Sequence, residues 1–201
     1  MIFHAVKIVA NELNNFLNTL STSTDDNVLL SNIAFHESER EKNAKDKVAV
    51  TIAKIQEERT LKNKENRRRN PVTGMLAYHN PKVVINVFLL FTFNSWTYEH
   101  ALVYLSRTMK FFQSKNIFTH LNTKPLDEIP EDEQLESFKF ILDLYSPSFE
   151  EINHLWSIHG GKQIPFVLYK MRLLELEYQQ IQEERGVIKE IWIDSKDVNL
   201  V

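Results

Sequence analysis

The chain has 201 residues, and its 24 Lys and Arg against 27 Asp and Glu give a formal net charge of −3. A charge this close to zero produces no chain-wide field that favours nucleic acid or anionic lipid, so such binding would need a local patch. Hydrophobic residues make up 43% and charged residues 25%, which excludes disorder as the main state and predicts a globular protein. The absence of cysteine excludes disulfides, thiolate metal sites and cysteine nucleophiles.

The start of the chain and its most apolar segment determine the expected location. The sequence MIFHAVKIVANELNN is interrupted by charged residues and lacks the pattern of a secretion signal. The most apolar window, 83–93, is too short to span a bilayer. We therefore expect a cytoplasmic chain with no membrane partner.

The four glycines of the chain form no glycine-rich phosphate loop, which excludes the commonest nucleotide-binding sites.

The first half of the chain predicts one helix followed by three strands. Apolar residues recur at helical spacing over 2–20, which predicts an amphipathic helix. Runs typical of strands then cover 28–35, 47–55 and 82–93. The last run is apolar on both faces, as in a central strand. The polar stretch 59–81 is predicted to be a loop, and its length makes it a candidate functional arm.

The second half begins with a long amphipathic helix from Tyr98 to Phe112. An acidic segment over 125–136 follows, and alternating apolar residues predict a strand over 135–145. A short helix comes next. Ser148 and Glu151 have the spacing of a capping box at its start, and Gly160-Gly161 supplies a left-handed end.

The last predicted strand covers 164–178 and contains an irregularity. Its apolar positions change phase near Leu173 and Leu174, which predicts a β-bulge because side chains alternate with a period of two. Residues 183–186 are predicted to form a polar turn into a returning strand over 187–193. The expected fold class is α+β, with a mixed, mostly antiparallel sheet packed by two long helices and one short helix, and with a C-terminal β-hairpin. We expect one domain over 1–180, followed by the hairpin strand and a tail over 181–201.

Histidine and carboxylate spacing gives no sign of a catalytic or metal site. His154 and His159 are five residues apart, about 140° on a helix, whereas helical metal pairs need both rings on one face. No HExxH, GxSxG or zinc-deaminase pattern is present. The acidic run lies around Pro125 and Pro130, which is typical of a solvated loop and not of paired catalytic acids. We expect no catalytic residue, no metal, no cofactor and no small-molecule substrate.

Opposite charge is concentrated in two segments, 59–70 and 125–136. A head-to-tail ring brings different surfaces of one chain together, so these segments are a candidate subunit interface. An exposed strand over 187–193 could also add to a partner's sheet. The candidate interface residues are Lys62, Lys64, Arg67, Arg68, Arg69, Asp127, Glu128, Glu131, Asp132, Glu133, Val187, Ile188 and Ile191.

Two stretches resemble a known family. They are NVFLLFTFNSWTYEHALVYLSRTMKFFQSKNIFT at 86–119 and FEEINHLWSIHGGKQIPFVLYKMR at 149–172. That family also has a charged, asparagine-containing stretch after its second strand, and LKNKENRRRNP at 61–71 is similar to it. The chain is similar to the tail-terminator, or cap, proteins of phage-tail-like contractile injection systems. The residues that carry the resemblance are Phe111, Phe112, Gln113, Leu155, Trp156, Gly160, Pro165, Tyr169, Lys170 and Arg172. We expect most of them to be scaffold, because large aromatics on an apolar stripe are usually core.

The resemblance implies a structural protein and not an enzyme. Its expected partners are further copies of itself in a hexameric ring, the inner-tube protein and the sheath protein. The ring would end polymerisation of the tube and anchor the last sheath ring, first in the cytoplasm and then as part of the particle. The first alternative is a small nucleic-acid-binding adaptor that uses the basic segment 59–70, although that segment lacks interleaved aromatics. The second alternative is an enzyme whose site is assembled from distant residues, and activity that depends on a divalent metal would favour it.

Overall fold

The computed structural model describes residues 1–20, 26–35, 46–58, 67–69, 76–79, 83–126, 129–135, 137–176 and 181–185. The α-helices within these residues are α1 (Ile2–Leu20), α2 (Tyr98–Ser114) and α3 (Phe149–Ile158). The strands are β1 (Val28–Leu30), β2 (Lys47–Glu57), β3 (Arg67–Arg69), β4 (Leu76–His79), β5 (Val83–Asn94), β6 (Ile117–Thr119), β7 (Lys139–Tyr145), β8 (Phe166–Leu176) and β9 (Ile181–Arg185). Short 3-10 turns cover Ile33–Phe35 and Glu131–Glu133.

The main sheet has six strands in the order β1-β2-β5-β8-β7-β6. β1 pairs with β2 in parallel, and the other neighbours are antiparallel. The predicted α+β class with a mixed, mostly antiparallel sheet is therefore confirmed. β5 lies inside this sheet, and ten of its twelve residues are buried, which confirms the predicted central strand.

The three strands β3, β4 and β9 form a second antiparallel sheet, in the order β3-β4-β9. This order repeats that of β2, β5 and β8 in the main sheet, because β3 follows β2 along the chain, β4 precedes β5 and β9 follows β8. We call this second sheet the arm sheet.

The β-bulge predicted near Leu173 and Leu174 is confirmed. β5 advances two residues from Ile85 to Val87 while its partner β8 advances three residues from Met171 to Leu174. The extra residue on β8 explains why the apolar positions of this strand change phase.

The helices divide between the two faces of the main sheet. α1 and α2 cover one face, where the larger core contains Leu13, Phe91, Phe112 and Tyr169. α3 covers the other face, where Trp156 packs with a smaller cluster around Leu90 and Leu168. Both faces of the central strands are therefore buried, which explains why β5 and β8 are apolar at most positions.

Five sequence predictions need correction, the first being the strand predicted over 135–145, which begins at Lys139. The loop predicted over 59–81 contains β3 and β4, and the polar turn predicted from Glu183 lies in β9 up to Arg185. The strand predicted over 28–35 ends at Leu30, and β6 was not predicted at all. The other four errors share a cause, because short strands of three to five residues are set by their partners and not by their own pattern. The returning strand predicted over 187–193 lies outside the described residues.

Both ends of α3 follow the prediction. The Ser148 hydroxyl accepts a hydrogen bond from the Glu151 N–H at 3.2 Å, and the Glu151 carboxylate accepts one from the Ser148 N–H at 2.9 Å. At the other end Gly160 and Gly161 have φ values of 96° and 79°. The Gly161 N–H donates to the Trp156 carbonyl oxygen at 2.7 Å, the bond that closes a Schellman motif.

The cap of α3 gives a stability prediction. Ser148→Ala removes the hydroxyl that caps the helix, so we expect the free energy of unfolding to fall by about 1 kcal/mol. The midpoint of urea unfolding measures this change. Ser157→Ala is the matched control, because its hydroxyl bonds to the Asn153 carbonyl oxygen on the exposed side of α3. An equal loss in both variants would contradict a specific capping effect.

Candidate interaction surfaces

The described residues contain no group of three or more His, Asp and Glu that could hold a metal ion. His100 serves packing and hydrogen bonding: its ring contacts the Tyr104 ring edge-on at 4.9 Å between centroids, and its Nδ1 lies 2.8 Å from the Ser95 hydroxyl. Helices long and apolar enough to cross a membrane are absent from the same part of the chain. The features of the described residues that could serve function are surfaces able to bind another macromolecule.

The acidic segment is tied to the start of α1. The Leu135 N–H donates a hydrogen bond to His4 Nδ1 at 2.9 Å, and Glu133 forms an ion pair with the Met1 ammonium. Ile129, within the same segment, is buried. The segment is therefore anchored at these points and is not a loop solvated along its whole length, although Glu131 is exposed. Asp127 and Glu128 lie outside the described residues, as does the side chain of Asp132.

This anchor makes stability depend on pH. Burial, and then the nearby N-terminal ammonium, lower the pKa of His4 below its usual value of 6.5. The unfolded chain therefore binds a proton that the folded chain resists, so stability is complete above about pH 6.5 and falls as the pH drops toward the folded-state pKa. We expect His4→Asn, which keeps a hydrogen-bond acceptor but does not titrate, to lose less stability than the wild type between pH 7.5 and 5.5. Urea unfolding at both pH values measures this, and parallel losses would contradict it.

The basic segment is part of the arm sheet. Arg67, Arg68 and Arg69 form β3, which pairs with β4 in the register Arg67 to Tyr78 and Arg69 to Leu76. Lys62 and Lys64 lie outside the described residues, and so do Val187, Ile188 and Ile191. Within the described residues, the arginine strand β3 and the strand β9 thus belong to one sheet, with β4 between them.

An exposed aromatic pair lies at the corner between β5 and α2 and was not predicted from the sequence. Trp96 is 79% exposed and Tyr98 is 68% exposed. Asp46 holds this corner, because its carboxylate accepts hydrogen bonds from the Trp96 N–H at 3.0 Å and the Ser95 hydroxyl at 2.6 Å. The signal in the sequence was Trp96, a large aromatic that lies between the alternating pattern of 82–93 and the helical pattern that begins at Tyr98. Large exposed aromatics of this kind are enriched in protein interfaces.

A groove of about 510 Å³ lies where β1 ends and β2 continues beside the start of α1. Its walls are mostly apolar and include Phe3, Val6 and Ile52. Phe3 and Ile52 are both partly exposed. The groove and the aromatic corner are thus two described surfaces that a macromolecular partner could cover.

Most residues that carry the family resemblance lie inside the fold. Phe111, Phe112, Trp156 and Tyr169 are buried, and burial raises the pKa of the Tyr169 hydroxyl to about 12. Leu155, Pro165 and Lys170 are half-buried, whereas Gln113, Gly160 and Arg172 are exposed. Arg172 forms an ion pair with Asp143 on the neighbouring strand. These positions are consistent with scaffold for the buried aromatics and with a helix end for Gly160.

Comparison with known proteins points to one family. Residues 5–190 match the family model described as the Pvc16 N-terminal domain. No curated protein sequence matches the chain.

Two solved structures have a similar fold. One is the PVC sheath/tube terminator of an extracellular contractile injection system in its extended state, with a TM-score of 0.58, 14% identity, and a match covering 94% of this chain and 64% of that chain. The other is the tube-terminating cap of the anti-feeding prophage, with a TM-score of 0.52, 15% identity, and coverage of 92% and 60%. This chain thus spans less than two thirds of the length of either protein. At these identities the likeness demonstrates a shared fold.

Proposed function

This chain belongs to the Pvc16 N-terminal domain family, and on that premise we propose that it is a structural cap of a contractile injection system. In this role a ring of copies ends the growth of the inner tube and anchors the last ring of the sheath. The observation that carries the proposal is the fold shared with a sheath/tube terminator over 94% of this chain. The similar fold of a tube-terminating cap supports the same role.

The proposed role is structural and requires neither catalysis nor a cofactor. The chain would assemble in the cytoplasm and then remain in the finished extracellular particle. Its partners would be other copies of itself in a six-membered ring, the tube protein and the sheath protein. The nucleic-acid adaptor has no comparable support, because the two solved structures described above are a sheath/tube terminator and a tube-terminating cap.

The proposal also assigns the residues through which the cap contacts its partners. We assign contacts with neighbouring copies or with tube and sheath to three groups of residues. The basic group is Lys62, Lys64, Arg67, Arg68 and Arg69. The acidic group is Asp127, Glu128, Glu131, Asp132 and Glu133, and the C-terminal group is Val187, Ile188 and Ile191. Truncation after Gln180 removes the third group together with β9 and should weaken attachment of the sheath. Unchanged attachment would remove the C-terminal group from the proposal.

Control of tube length tests the function directly. Tube protein from the same particle is polymerised with increasing amounts of this chain, and tube lengths are measured by negative-stain electron microscopy. We expect mean length to fall as the proportion of cap rises, with a ring visible at one tube end. Light scattering after size exclusion gives the number of copies in the free ring. Tube lengths that do not change at any ratio would contradict the proposal.

Two controls separate the cap from the alternatives. A variant with a broken core, Phe112→Ala, at the same concentration shows whether the folded state is needed. Titration with random-sequence DNA at low and high salt tests the adaptor, since phosphate contacts give binding that weakens steeply with salt. We expect no salt-sensitive binding, and such binding without any effect on tube length would favour the adaptor.

A further inference from the structure

Four large apolar side chains are exposed on the outer side of α2. They are Tyr98 at 68% exposure, Leu102 at 40%, Val103 at 43% and Met109 at 38%. Glu99 is exposed as well, and it neighbours Leu102 and Val103 because these residues follow it by three and four positions in the helix. The buried residues of α2, among them Phe112, lie on its inner side and join the larger core. We call these five exposed residues the α2 patch.

The apolar area of the α2 patch is large for a surface left to water. Burying a whole aromatic side chain removes about 150–250 Å² from solvent, so Tyr98 at 68% exposure still has about 100–170 Å² to bury. The three aliphatic side chains extend this area along three turns of the helix. Apolar patches of a few hundred Å² on a folded protein typically mark an interaction site.

A groove of about 210 Å³ lies on the other face of the main sheet, between α3 and β2. The buried side chains of Phe88 and Leu168 line it from the sheet, and Leu155 and Ile158 line it from α3. Ile158 is 77% exposed, so the groove opens to the surface. We call it the α3 groove. All of its lining residues belong to the described part of the chain.

The rim of the α3 groove carries an excess of positive charge. Lys54 Nζ lies 5.6 Å from the centre of the Phe88 ring, and Lys170 Nζ lies 5.9 Å from it. Glu151 is the acid that lines the groove, and its carboxylate already accepts a hydrogen bond from the Tyr145 hydroxyl at 2.8 Å. The groove therefore combines an apolar floor with two lysines that a further acid could approach.

The α2 patch and the α3 groove lie on opposite faces of the main sheet. α2 packs on the face of the larger core, whereas α3 packs on the face of the smaller cluster. Copies in a head-to-tail ring meet through two different surfaces of the same chain. A patch and a groove on opposite faces give each copy one surface for each of its two neighbours.

The chemistry of the two surfaces is complementary. The patch is a convex helix surface with an aromatic ring and one acid, Glu99, whereas the groove is concave, apolar and lined by lysine. A tyrosine has an apolar ring and a polar hydroxyl, which suits a groove with an apolar floor and a charged rim. Aromatic side chains in well-packed pockets contribute most to the affinity of typical interfaces, and charged pairs at the rim direct the partner.

We infer that the α2 patch of one copy docks into the α3 groove of the next copy in the ring. Tyr98 enters the groove over Phe88, and Glu99 faces Lys54. This inference rests on the proposed cap function, because it assigns a contact between neighbouring copies of the ring.

A charge placed within the α2 patch tests the contact. Leu102→Glu would force a carboxylate against the apolar floor of the groove, so we expect the association of copies to weaken by at least about tenfold. Light scattering after size exclusion over a series of concentrations measures it, and circular dichroism shows that the variant is folded. Leu121→Glu is the matched control, because it makes the same change at a leucine that is 86% exposed outside the patch. Assembly of Leu102→Glu equal to that of the control would overturn the inference.

Exchange of charge identifies the partner of Glu99. E99K alone brings two positive groups together, and K54E alone brings two negative groups together. We expect each to weaken association about two- to fivefold. The double variant E99K/K54E restores opposite charges at every contact and should assemble like the wild type. Losses that simply add in the double variant would show that the two residues do not face each other, and would overturn the inference.

Disulfide trapping gives a readout that does not depend on charge. The chain has no cysteine, so an introduced pair can form no bond with a native thiol. Glu99→Cys is combined with Lys54→Cys. Within one copy, Lys54 lies seven residues, about 23 Å, along β2 from the residue that pairs with Asn94, whereas α2 begins four residues after Asn94 on the other face of the sheet. This separation exceeds the roughly 7 Å limit for a disulfide, so a bond must join two copies. We expect a ladder of covalent oligomers on a non-reducing gel.

The trapping experiment separates this inference from the cap function. Gln113→Cys with Lys54→Cys is the matched control, because Gln113 is exposed fourteen residues, about 21 Å, further along α2 and should give no ladder. All variants are tested with and without polymerised tube protein, and tube lengths are measured in the same samples. Tubes of limited length without any ladder would overturn the contact and leave the cap function standing.

Two further outcomes are informative. If Leu102→Glu formed normal rings but failed to limit tube length, the α2 patch would contact the tube protein and the inference would be overturned. No rings, no ladder and tubes of unlimited length would overturn both the contact and the cap function.

Discussion

Phe112→Ala is expected to lower the free energy of unfolding by about 3–5 kcal/mol. Phe112 is 2% exposed. Its ring lies 5.1 Å from that of Phe91 and 4.5 Å from that of Tyr169, measured between centroids. It therefore joins α2 to β5 and β8 at the centre of the larger core. Truncation leaves a cavity among rigid rings, which cannot collapse to fill it.

Urea unfolding at pH 7.5 measures this loss, and Phe149→Ala is the matched control. Phe149 begins α3 and is 87% exposed, so the same chemical change there should alter the free energy by less than about 0.5 kcal/mol. Phe112→Leu should retain most of the stability and the limit on tube length. If Phe112→Leu folded normally but failed to limit tube length, Phe112 would be a contact residue and not scaffold.

Asn27→Ala is expected to lower the free energy of unfolding by about 1–3 kcal/mol. The buried Asn27 amide donates to Asn18 Oδ1 on α1 at 2.5 Å and accepts from the Tyr104 hydroxyl on α2 at 3.1 Å. The backbone carbonyl oxygen of Asn27 accepts a hydrogen bond from the Val48 N–H on β2 at 2.8 Å. The side chain thus links the two long helices at the point where β1 begins. Alanine would leave the buried Tyr104 hydroxyl without this partner.

A double-mutant cycle with Tyr104→Phe isolates this hydrogen bond. If it matters, the double variant should lose less than the sum of the two single variants, because Phe removes the hydroxyl that alanine leaves unpaired. Asn153→Ala, at an exposed position of α3, is the control and should change stability by less than about 0.5 kcal/mol. Strictly additive losses would show that the bond contributes nothing beyond packing.

Features that depend on neighbours in sequence were predicted well. The three helices follow from apolar residues at 3.6-residue spacing, and the capping box of α3 needs only Ser148 and Glu151 three positions apart. The β-bulge of β8 could be predicted because a change of phase is visible within one strand. The burial of Phe112, Trp156 and Tyr169 also followed from their place on apolar stripes.

The candidate interaction surfaces were predicted only in part. The arginines of 67–69 were recognised as a run of charge, but their strand conformation depends on pairing with β4, and no pattern within the three residues indicates it. Glu183 and Glu184 were assigned to a turn, because a run of charged residues lacks the alternation of a half-buried strand. The corner of Trp96 and Tyr98 was missed, since its fixed position depends on Asp46, fifty residues earlier in the chain.

The sequence alone determined the class of fold, the positions of the three helices, the buried central strand and the family resemblance. Each depends on periodicity, capping residues or residue types that act over a few positions. Only the tertiary structure determined the parallel pairing of β1 with β2, the anchoring of the acidic segment at His4, and the arm sheet that sets β3 and β9 on either side of β4. These depend on contacts between segments up to 131 residues apart, which no local pattern encodes.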